Sequence, residues 1–391
     1  MDPTAVGVVC YAGLDWWYHN RGHSECQIMR RLARRVPVLW VNSIGMRLPT
    51  TGKTELTLAR YARKLRSTLK GLRRDPCGLW VYSPLFVPRY SPAAVELNGR
   101  LLDLQVRWLR RRIGIRRPSL FITMPTACAA AERSQYVRTV FNRADAFSEF
   151  PEVDSRLIAG LEARLLACAD EVLYVSDVLF ERERTRVRRA HFLDHGVDFE
   201  HFASARSASG PCRPAPEAIA DLPRPLIGFY GALDDYVIDL DLMVRVARAF
   251  PKATLLVIGP KAMEIGRLLA EPNVCYLGPV PYEQLPEYAA HFNVGIMPWL
   301  QNEWIRGCNP IKLKEYLALG FPIVSMRFPQ LASYEDLVHA VDDADAFVSA
   351  VAAALATDDP AAAERRRASV RNASWDAIAD RVGELLQLSP G

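Results

Sequence analysis

Two separate series of short apolar segments alternating with helical segments constrain this chain more than any other feature of its sequence. In the first series the apolar segments are rich in β-branched and aromatic residues and cover 6–12, 36–42, 79–84, 119–124, 138–142 and 171–176. The helical segments between them include 24–35, 98–113 and 154–168. Strands that are apolar on both faces and alternate with helices form parallel sheets covered by helices. The first half of the chain is therefore predicted to be an α/β domain.

The second series has the same character. Its predicted strands and helices are, in order, 226–231, 239–249, 253–259, 261–270, 273–278, 282–291, 294–299, 310–319 and 322–326. The stretch before it is rich in Ala, Ser, Pro and Arg, which is typical of a linker.

The length of 391 residues fits two such domains. We predict an N-terminal domain at 1–202, a linker at 203–222, a second domain at 223–372, and a C-terminal helix at 373–391 that returns to the first domain. The fold class is α/β, with two Rossmann-like domains that face each other across a cleft. Ligands of open α/β sheets bind beyond the carboxyl ends of the strands, so the site is expected in that cleft.

The cysteine pattern and the length of the apolar runs indicate the compartment in which the protein works. The eight cysteines are scattered, without a C-x-x-C pair or a cluster with histidine. This pattern argues against a disulfide scaffold and against a structural zinc site. No run of about 18 apolar residues occurs, so no membrane-spanning helix is predicted. We expect a cytoplasmic protein, with peripheral contact to the inner face of the membrane as a further expectation.

The first of two basic segments is 58–74. Between Arg60 and Arg74 it holds seven basic residues and no acidic one. Leucines recur there at helical spacing, at Leu58, Leu65, Leu69 and Leu72. This periodicity predicts an amphipathic helix with a basic outer face.

The second basic segment is 100–117, and its arginines concentrate at 107–117. Each basic segment is either a solvated arginine-rich face or a contact with an anionic lipid surface or a phosphorylated acceptor. The net charge of +5 is modest for this length, and we expect no nucleic acid partner.

The stretch "GCNPIKLKEYLALGFPIVS", residues 307–325, predicts a helix over 310–319. Asn309 can cap the helix, Pro310 suits its first position, and Gly320 can take the left-handed turn that ends it. Lys312 and Glu315 then project from one face near the N-terminal turns, where the helix dipole attracts anions. The alternative is a surface ion pair between these two side chains.

Four motifs of the second series occur in a recognisable order: "GFYGALDDY", "LLVIGP", "NVCYLGPVPYEQLPEYAAHFNVGIMPW" and "NPIKLKEYLALGFPIVS". Together they resemble the donor half of GT-B glycosyltransferases, particularly the retaining enzymes of glycosyltransferase family 4 and their bacterial polysaccharide relatives. The first half is similar to this family more weakly, through "RGHSECQIMRRLARR" and "GVDFEHF". The resemblance implies transfer of a sugar from a nucleotide diphosphate donor that the C-terminal domain holds.

The resemblance also implies roles for individual residues of the nucleotide site. Glu315 matches the glutamate that binds the ribose hydroxyls, and Lys312 lies where a basic side chain neutralises the diphosphate. Gly231 closes the first strand of the second domain, where a side chain would obstruct the phosphate. Gly22 and His23 occupy the loop that approaches the diphosphate and sugar from the other domain. Asn309, at the start of the Lys312 helix, belongs to the same predicted nucleotide-sugar site.

The sequence departs from the family pattern at two positions. Gly307 stands where many relatives have a glutamate that contacts the transferred sugar, so Asn302, Glu303 or the backbone around Cys308 are the candidates for that contact. Ala232 stands where a basic residue is common. Lys312 is therefore expected to need Arg306 as a second cation for the diphosphate.

Four residues of the first half are candidates with structural alternatives. Asp145 lies where relatives often place an acidic residue or a histidine near the reacting carbon, and the alternative is a helix N-cap. Trp16 and Trp17 are candidate stacking residues for a sugar or an acceptor, and the alternative is packing. His23 is a catalytic candidate, and the alternative is a helix start.

The predicted activity is retaining transfer of a sugar, with a UDP-sugar favoured as donor, to a hydroxyl acceptor of cell-surface polysaccharide or glycolipid, which can be lipid-linked. No metal or other cofactor is expected, because the D-x-D stretches at 239–241 and 342–345 read as helix starts. Helix amides and Lys312 would stabilise the leaving diphosphate instead. The alternatives are glycosylation of a soluble natural product, a nucleotide-sugar 2-epimerase, and a catalytically silent nucleotide-sugar-binding partner.

Overall fold

The chain divides by its contacts into two units. The structure, a computed structural model, describes residues 6–19, 21–46, 54–150, 153–356 and 359–388, without the side chains of 54–61. Unit 1 is Met1–His195 with Trp375–Gly391, and unit 2 is Gly196–Ser374. Each unit is built on its own largely parallel sheet, so the predicted α/β class is confirmed.

Unit 1 contains an eight-stranded sheet in the order β3-β4-β2-β1-β5-β6-β7-β8. Its strands are β1 (Val6–Tyr11), β2 (Val38–Val41), β3 (Arg73–Arg74), β4 (Trp80–Tyr82), β5 (Arg117–Ile122), β6 (Thr139–Arg143), β7 (Glu171–Tyr174) and β8 (Ala190–Phe192). All neighbours pair in parallel except β3 with β4. The two strands absent from the sequence prediction, β3 and β8, are short edge strands without an apolar run, so period-based reasoning misses them.

The helices of unit 1 that precede residue 195 are α1 (Ser24–Leu32), α2 (Thr54–Leu69), α3 (Pro92–Arg112), α4 (Cys128–Arg133), α5 (Ser155–Cys168) and α6 (Asp177–Glu183). Helix α3 begins six residues before the predicted 98. Ser91 caps it by accepting a hydrogen bond from the Ala94 amide at 3.3 Å, and Pro92 takes the first position.

Two of the four leucines that predicted α2 are exposed rather than buried. Leu65 and Leu69 are 61% and 75% exposed, while Ser67 is fully buried. The Ser67 hydroxyl donates to Asp15 Oδ2 at 2.7 Å, within a buried polar network that includes Asn42. The predicted orientation is therefore wrong for the part of the helix that can be compared. The polar anchor at Ser67, rather than the leucine period, sets which face is inside.

Unit 2 contains a six-stranded parallel sheet in the order β13-β12-β11-β14-β15-β16 and a two-stranded ribbon of β9 and β10. The strands are β9 (Arg206–Ser207), β10 (Gly210–Pro211), β11 (Leu226–Tyr230), β12 (Thr254–Ile258), β13 (Val274–Gly278), β14 (Val294–Met297), β15 (Ile323–Met326) and β16 (His339–Val341). The helices are α7 (Phe199–Ala203), α8 (Glu217–Ala220), α9 (Leu240–Ala249), α10 (Gly266–Leu269), α11 (Leu285–Ala289), α12 (Glu303–Arg306), α13 (Ile311–Leu319), α14 (Ala344–Ala356) and α15 (Pro360–Val370). The sheet core is nearly all aliphatic and aromatic.

The final helix, α16 (Trp375–Leu385), belongs to unit 1. It packs on α1, where Arg31 pairs with Asp376 at 3.1 Å, and Trp375 is buried. None of the helices in the described part of the chain combines the length and the apolar character needed to cross a membrane.

Two segments of unit 2 differ from their predicted extents. Residues 196–202 lie with unit 2, because the Val197 amide donates to the Ala373 carbonyl at 2.7 Å, and the predicted linker includes β9, β10 and α8. The predicted helix 261–270 is reduced to α10. The chain around Lys261 instead forms a parallel bridge with Leu233, which holds it extended.

Candidate functional site

The order of unit 2's sheet reverses between β11 and β14, and this switch point opens a crevice at the carboxyl ends of the two strands. Gly231 follows β11, and Trp299 lies two residues beyond β14. Helix α13 delivers Lys312 and Glu315 to this end of the sheet. Three of the predicted nucleotide-binding residues of unit 2, Gly231, Lys312 and Glu315, therefore lie at the same end of the sheet.

Helix α13 starts one residue later than the sequence predicts. The helix covers Ile311–Leu319, and Pro310 occupies the N-cap position without a side-chain cap of its own. Pro310 therefore precedes the helix instead of starting it. The predicted stop is confirmed, since Gly320 has φ of 81°. Amides at a helix N-terminus are donors for an anion.

Lys312 lies between the two strand ends. Its Nζ is 4.5 Å from the ring centre of Phe229 and 5.7 Å from that of Trp299. Gly231 has φ of 143°, and a Cβ added there would lie 2.2 Å from Lys312 Nζ. Gly231 thus leaves room for the ammonium group itself, in addition to allowing a backbone conformation that L side chains rarely adopt.

Glu315 is buried beside the same strand. Its Oε2 accepts a hydrogen bond of 2.9 Å from the Tyr230 hydroxyl. Burial raises the pKa of the Glu315 carboxyl to about 7, against the opposing effects of the Tyr230 hydrogen bond and the Lys312 charge. Burial also lowers the pKa of Lys312 to about 8. Among the contacts described for unit 2, these two residues form no direct ion pair, so the surface-pair alternative is wrong.

The other candidates near α12 have structural contacts. Asn302 caps α12, accepting from the Ile305 amide at 2.9 Å, and its side-chain nitrogen donates to the Tyr236 carbonyl at 2.8 Å. Both ends of this amide are occupied, which argues against a sugar contact. Glu303 and Arg306 are exposed and pair with each other at 3.2 Å. The structure does not bring Arg306 to Lys312.

Trp16 and Trp17 in unit 1 differ in environment. Trp16 is buried, donates from Nε1 to Asp75 Oδ2 at 2.9 Å, and packs edge-on against Trp40. The packing alternative is therefore correct for Trp16. Trp17 is partly exposed, with Lys70 Nζ 4.2 Å from its ring centre.

The two loop residues predicted to approach the donor precede α1. His23 is the N-cap residue of α1, is exposed, and makes no side-chain cap. It is thus at a helix start, as the alternative proposed, which leaves its imidazole available to a ligand. Gly22 is half-buried. Their roles toward a donor remain predictions.

The sheet of unit 1 has its own switch point, between β1 and β5, and sequence reasoning missed its most distinctive residue, Glu25. This carboxyl is buried in the first turn of α1 and accepts from the Gly13 amide at 3.1 Å. Within the described residues, neither Glu25 Oε1 nor the buried Thr123 Oγ1 makes a hydrogen bond of regular geometry. Burial raises the pKa of Glu25 to about 7. In the sequence, an acidic residue in a helix's first turn reads as an ordinary partner of the dipole.

Asp145 follows β6, beside the same end of the sheet. It interacts electrostatically with Glu25, and burial raises the pKa of its carboxyl to about 6 while Arg143 opposes the shift. Ala146, not Asp145, precedes the short 3-10 helix Phe147–Glu149, so the N-cap alternative is wrong. Two carboxyls of raised pKa therefore lie near the β1/β5 switch point.

Part of unit 2 matches a known sequence family. Residues 224–357 match the family described as glycosyl transferases, group 1. A putative teichuronic acid biosynthesis glycosyltransferase of Bacillus subtilis is 27% identical over 256 residues, which cover 61% of this chain and 61% of that relative. The matched segment thus spans less than two thirds of the relative's length.

Solved structures share the fold over nearly the whole chain. Sucrose-phosphate synthase from Thermosynechococcus elongatus superposes with a TM-score of 0.73 at 15% identity, covering 98% of each chain. An Anabaena protein solved in complex with UDP gives a TM-score of 0.61 at 13% identity, covering 98% of this chain and 100% of that one. The resemblance to GT-B glycosyltransferases that the motifs indicated is confirmed by these matches.

Proposed function

We propose that this chain, whose second unit carries a group 1 glycosyl transferase domain, transfers a sugar from a nucleotide diphosphate donor to a hydroxyl acceptor. The observation that carries the proposal is the β11/β14 switch point of unit 2. There an ammonium group, the N-terminus of α13 and a buried carboxyl lie at one end of one sheet. This set matches the chemistry of a diphosphate joined to a ribose.

Lys312 and the first amides of α13 would bind the diphosphate. Cleavage of a sugar–phosphate bond builds negative charge on the departing diphosphate, and fixed donors that face this charge lower the barrier. Phosphate beside Lys312 would also restore the ordinary pKa of an amine that burial lowers to about 8. The proposal needs no metal, because the charge is balanced by these donors.

Glu315 would accept hydrogen bonds from the ribose hydroxyls. A carboxylate can accept two O–H bonds at once, and such charge-assisted bonds are stronger than neutral ones. Since burial raises the pKa of Glu315 to about 7, its accepting form is more populated at pH 8 than at pH 6. The Tyr230 hydroxyl fixes the carboxyl in place through the hydrogen bond to Oε2.

We further propose a retaining reaction, in which the leaving phosphate oxygen takes the proton from the acceptor hydroxyl. This route needs no protein nucleophile. UDP is the favoured nucleotide, since the Anabaena protein of the same fold was solved with UDP. The name of the Bacillus subtilis relative supports an acceptor of cell-surface polysaccharide assembly, which can be lipid-linked and reached by peripheral membrane contact.

A thermal shift series with UDP and UDP-sugars tests the donor assignment, because a ligand that binds only the folded state raises apparent stability by mass action. Glu315→Ala should lose most of the shift. Glu303→Ala is the matched control, since its carboxylate is exposed and lies on the neighbouring α12. An equal shift in Glu315→Ala and wild type would refute the ribose assignment.

Donor turnover without acceptor separates the transferase from its alternatives. Slow release of nucleotide diphosphate supports a transferase, a 2-epimer of the donor supports an epimerase, and binding without either product supports a silent partner protein. Repeating the assay with EDTA tests metal independence: an unchanged rate is expected, and loss of the rate would overturn that part of the proposal.

A further inference from the structure

Helix α3 of unit 1 exposes a stripe of large apolar side chains. Leu104 and Trp108 are 70% and 59% exposed, and Leu97 is 46% exposed. These residues recur at helical spacing on the face opposite the buried Leu102, Val106 and Leu109, which pack on the sheet. A leucine and a tryptophan this exposed on one helix face mark a surface that contacts something else.

The same face is strongly basic. It carries arginines at Arg100, Arg107, Arg111, Arg112 and Arg116. An open groove of about 650 Å³ is lined by Leu104, Trp108 and the last four of these arginines. Arg112 stacks over the Trp108 ring at 5.3 Å. Arg107 pairs with Asp103 at 3.6 Å. Five arginines against this carboxylate leave the face with an excess of positive charge.

The surface continues from α3 to the loop that precedes it. The Gln105 side chain holds the backbone of the exposed Leu85 with hydrogen bonds of 2.9 and 3.0 Å. Leu85 is 64% exposed, so it adds a further apolar side chain to this surface.

We propose that this basic apolar face, formed by α3, Arg116 and Leu85, docks on a bilayer that contains anionic phospholipid. Leucine and tryptophan side chains would enter the boundary between headgroups and acyl chains, while the arginines stay among the lipid phosphates. Charge complementarity selects this occupant: the face is basic and its apolar residues are dispersed among the arginines. A second copy of the same face would bring the same excess of positive charge opposite itself, which opposes a symmetric dimer.

The basic apolar face specifies which surface makes the membrane contact named in the proposed function, and it rests on that function. The observations on this face do not depend on the donor site. No residue of the basic apolar face belongs to unit 2, where the nucleotide is proposed to bind. A failure of vesicle binding would leave the donor thermal shift intact. A failure of donor binding would leave vesicle binding intact.

Co-sedimentation of the full chain with extruded vesicles tests the proposal. Vesicles of pure phosphatidylcholine are compared with vesicles that contain phosphatidylglycerol in a phosphatidylcholine background. The partition coefficient of the chain is expected to be at least about tenfold higher for the anionic vesicles. Each arginine near such a surface raises this coefficient roughly fivefold. Raising the salt concentration should weaken this binding by screening.

Two exposed double variants separate the apolar and charged contributions. Leu104→Gln with Trp108→Gln, and Arg111→Gln with Arg112→Gln, should each lower partitioning about tenfold or more while keeping the UDP thermal shift. The matched control is Arg267→Gln with Leu269→Gln on α10 of unit 2, which removes one exposed arginine and one exposed leucine. The control should bind like wild type.

Three results would overturn the proposal. They are equal binding of wild type to both kinds of vesicle, vesicle binding that neither double variant changes, and a wild-type dimer in sedimentation equilibrium that Leu104→Gln with Trp108→Gln converts to a monomer. The last result would assign the face to a second copy of the chain. Because the substituted side chains are exposed, retained thermal stability is expected and is checked in the same samples.

Discussion

The two sheets have the same kind of switch point but opposite electrostatics. In unit 2, the crevice between β11 and β14 holds an ammonium group, Lys312, against aromatic rings and near the carboxyl of Glu315. In unit 1, the crevice between β1 and β5 holds Glu25 and Thr123, and a second carboxyl, Asp145, interacts electrostatically with Glu25. One arrangement suits an anion and the other suits neutral hydroxyl groups. Topology therefore fixes where a ligand binds, while a few side chains fix which ligand.

The largest effect is expected from removing the cation of the unit 2 crevice. Lys312→Gln should lower UDP affinity roughly 100-fold, because charge-assisted bonds to phosphate and the attraction of the ammonium group are both lost. Uridine, which has no phosphate, should bind the variant and wild type equally. Isothermal titration with both ligands measures the difference.

Glu315→Gln provides the matched contrast. It should weaken uridine and UDP by the same factor, since the ribose is common to both ligands. If Lys312→Gln weakened uridine as strongly as UDP, the ammonium group would not be a diphosphate contact. The assignment of an anion site to unit 2 would then fail.

The next largest effect concerns the glycine that makes room for the ammonium group. Gly231→Ala places a Cβ 2.2 Å from Lys312 Nζ at a φ of 143°, so we expect a loss of about 1–3 kcal/mol in the free energy of unfolding, together with weaker UDP binding. Urea denaturation monitored by circular dichroism measures the stability. Gly160→Ala is the control: this exposed helical position has open space around it, and alanine there should stabilise by about 0.5–1 kcal/mol. A fully stable Gly231→Ala that binds UDP normally would contradict the packing argument.

The local structure around the unit 2 candidates was predictable because its signals are local in the sequence. Strands of unbroken apolar residues, a glycine at a strand end and a glycine after a helix each have a direct backbone cause. The strand before Gly231 and the helix that carries Lys312 and Glu315 were therefore predicted, while their roles toward a nucleotide stay predictions. The start of α13 was predicted one residue early, since Pro310 fits either the N-cap or the first helical position.

The parts that could not be predicted depend on contacts distant in the chain. Glu25 becomes distinctive because the Gly13 loop folds onto it and Thr123 arrives from another strand. Likewise, Leu65 and Leu69 of α2 are exposed while Ser67 is buried, because Ser67 reaches Asp15, a partner 52 residues away. The hydrophobic period of the sequence contains no information on either contact.

Glu25 should give a smaller effect that depends on pH. Its pKa is about 7 in the folded protein and about 4.5 when unfolded, so the folded state binds the extra proton and stability falls as pH rises from about 4.5 to 7. Glu25→Gln removes the charged form and should make the variant gain about 1–2 kcal/mol over wild type between pH 5 and pH 8. Denaturation curves across this range measure the gain.

A parallel stability curve for variant and wild type would show that the carboxyl is ionised in the folded protein. The contrast between a basic and an acidic crevice would then rest on Lys312 alone.

The smallest effect is expected at Arg306, the residue that the sequence proposed as a second cation for the diphosphate. It is exposed and paired with Glu303, and exposed pairs contribute about 0–1 kcal/mol. Arg306→Gln should therefore change UDP affinity less than about twofold, well below the effect of Lys312→Gln. The same titration measures both variants. A tenfold loss at Arg306 would mean that its side chain leaves Glu303 to bind the diphosphate, and the anion site of unit 2 would then extend from α13 to α12.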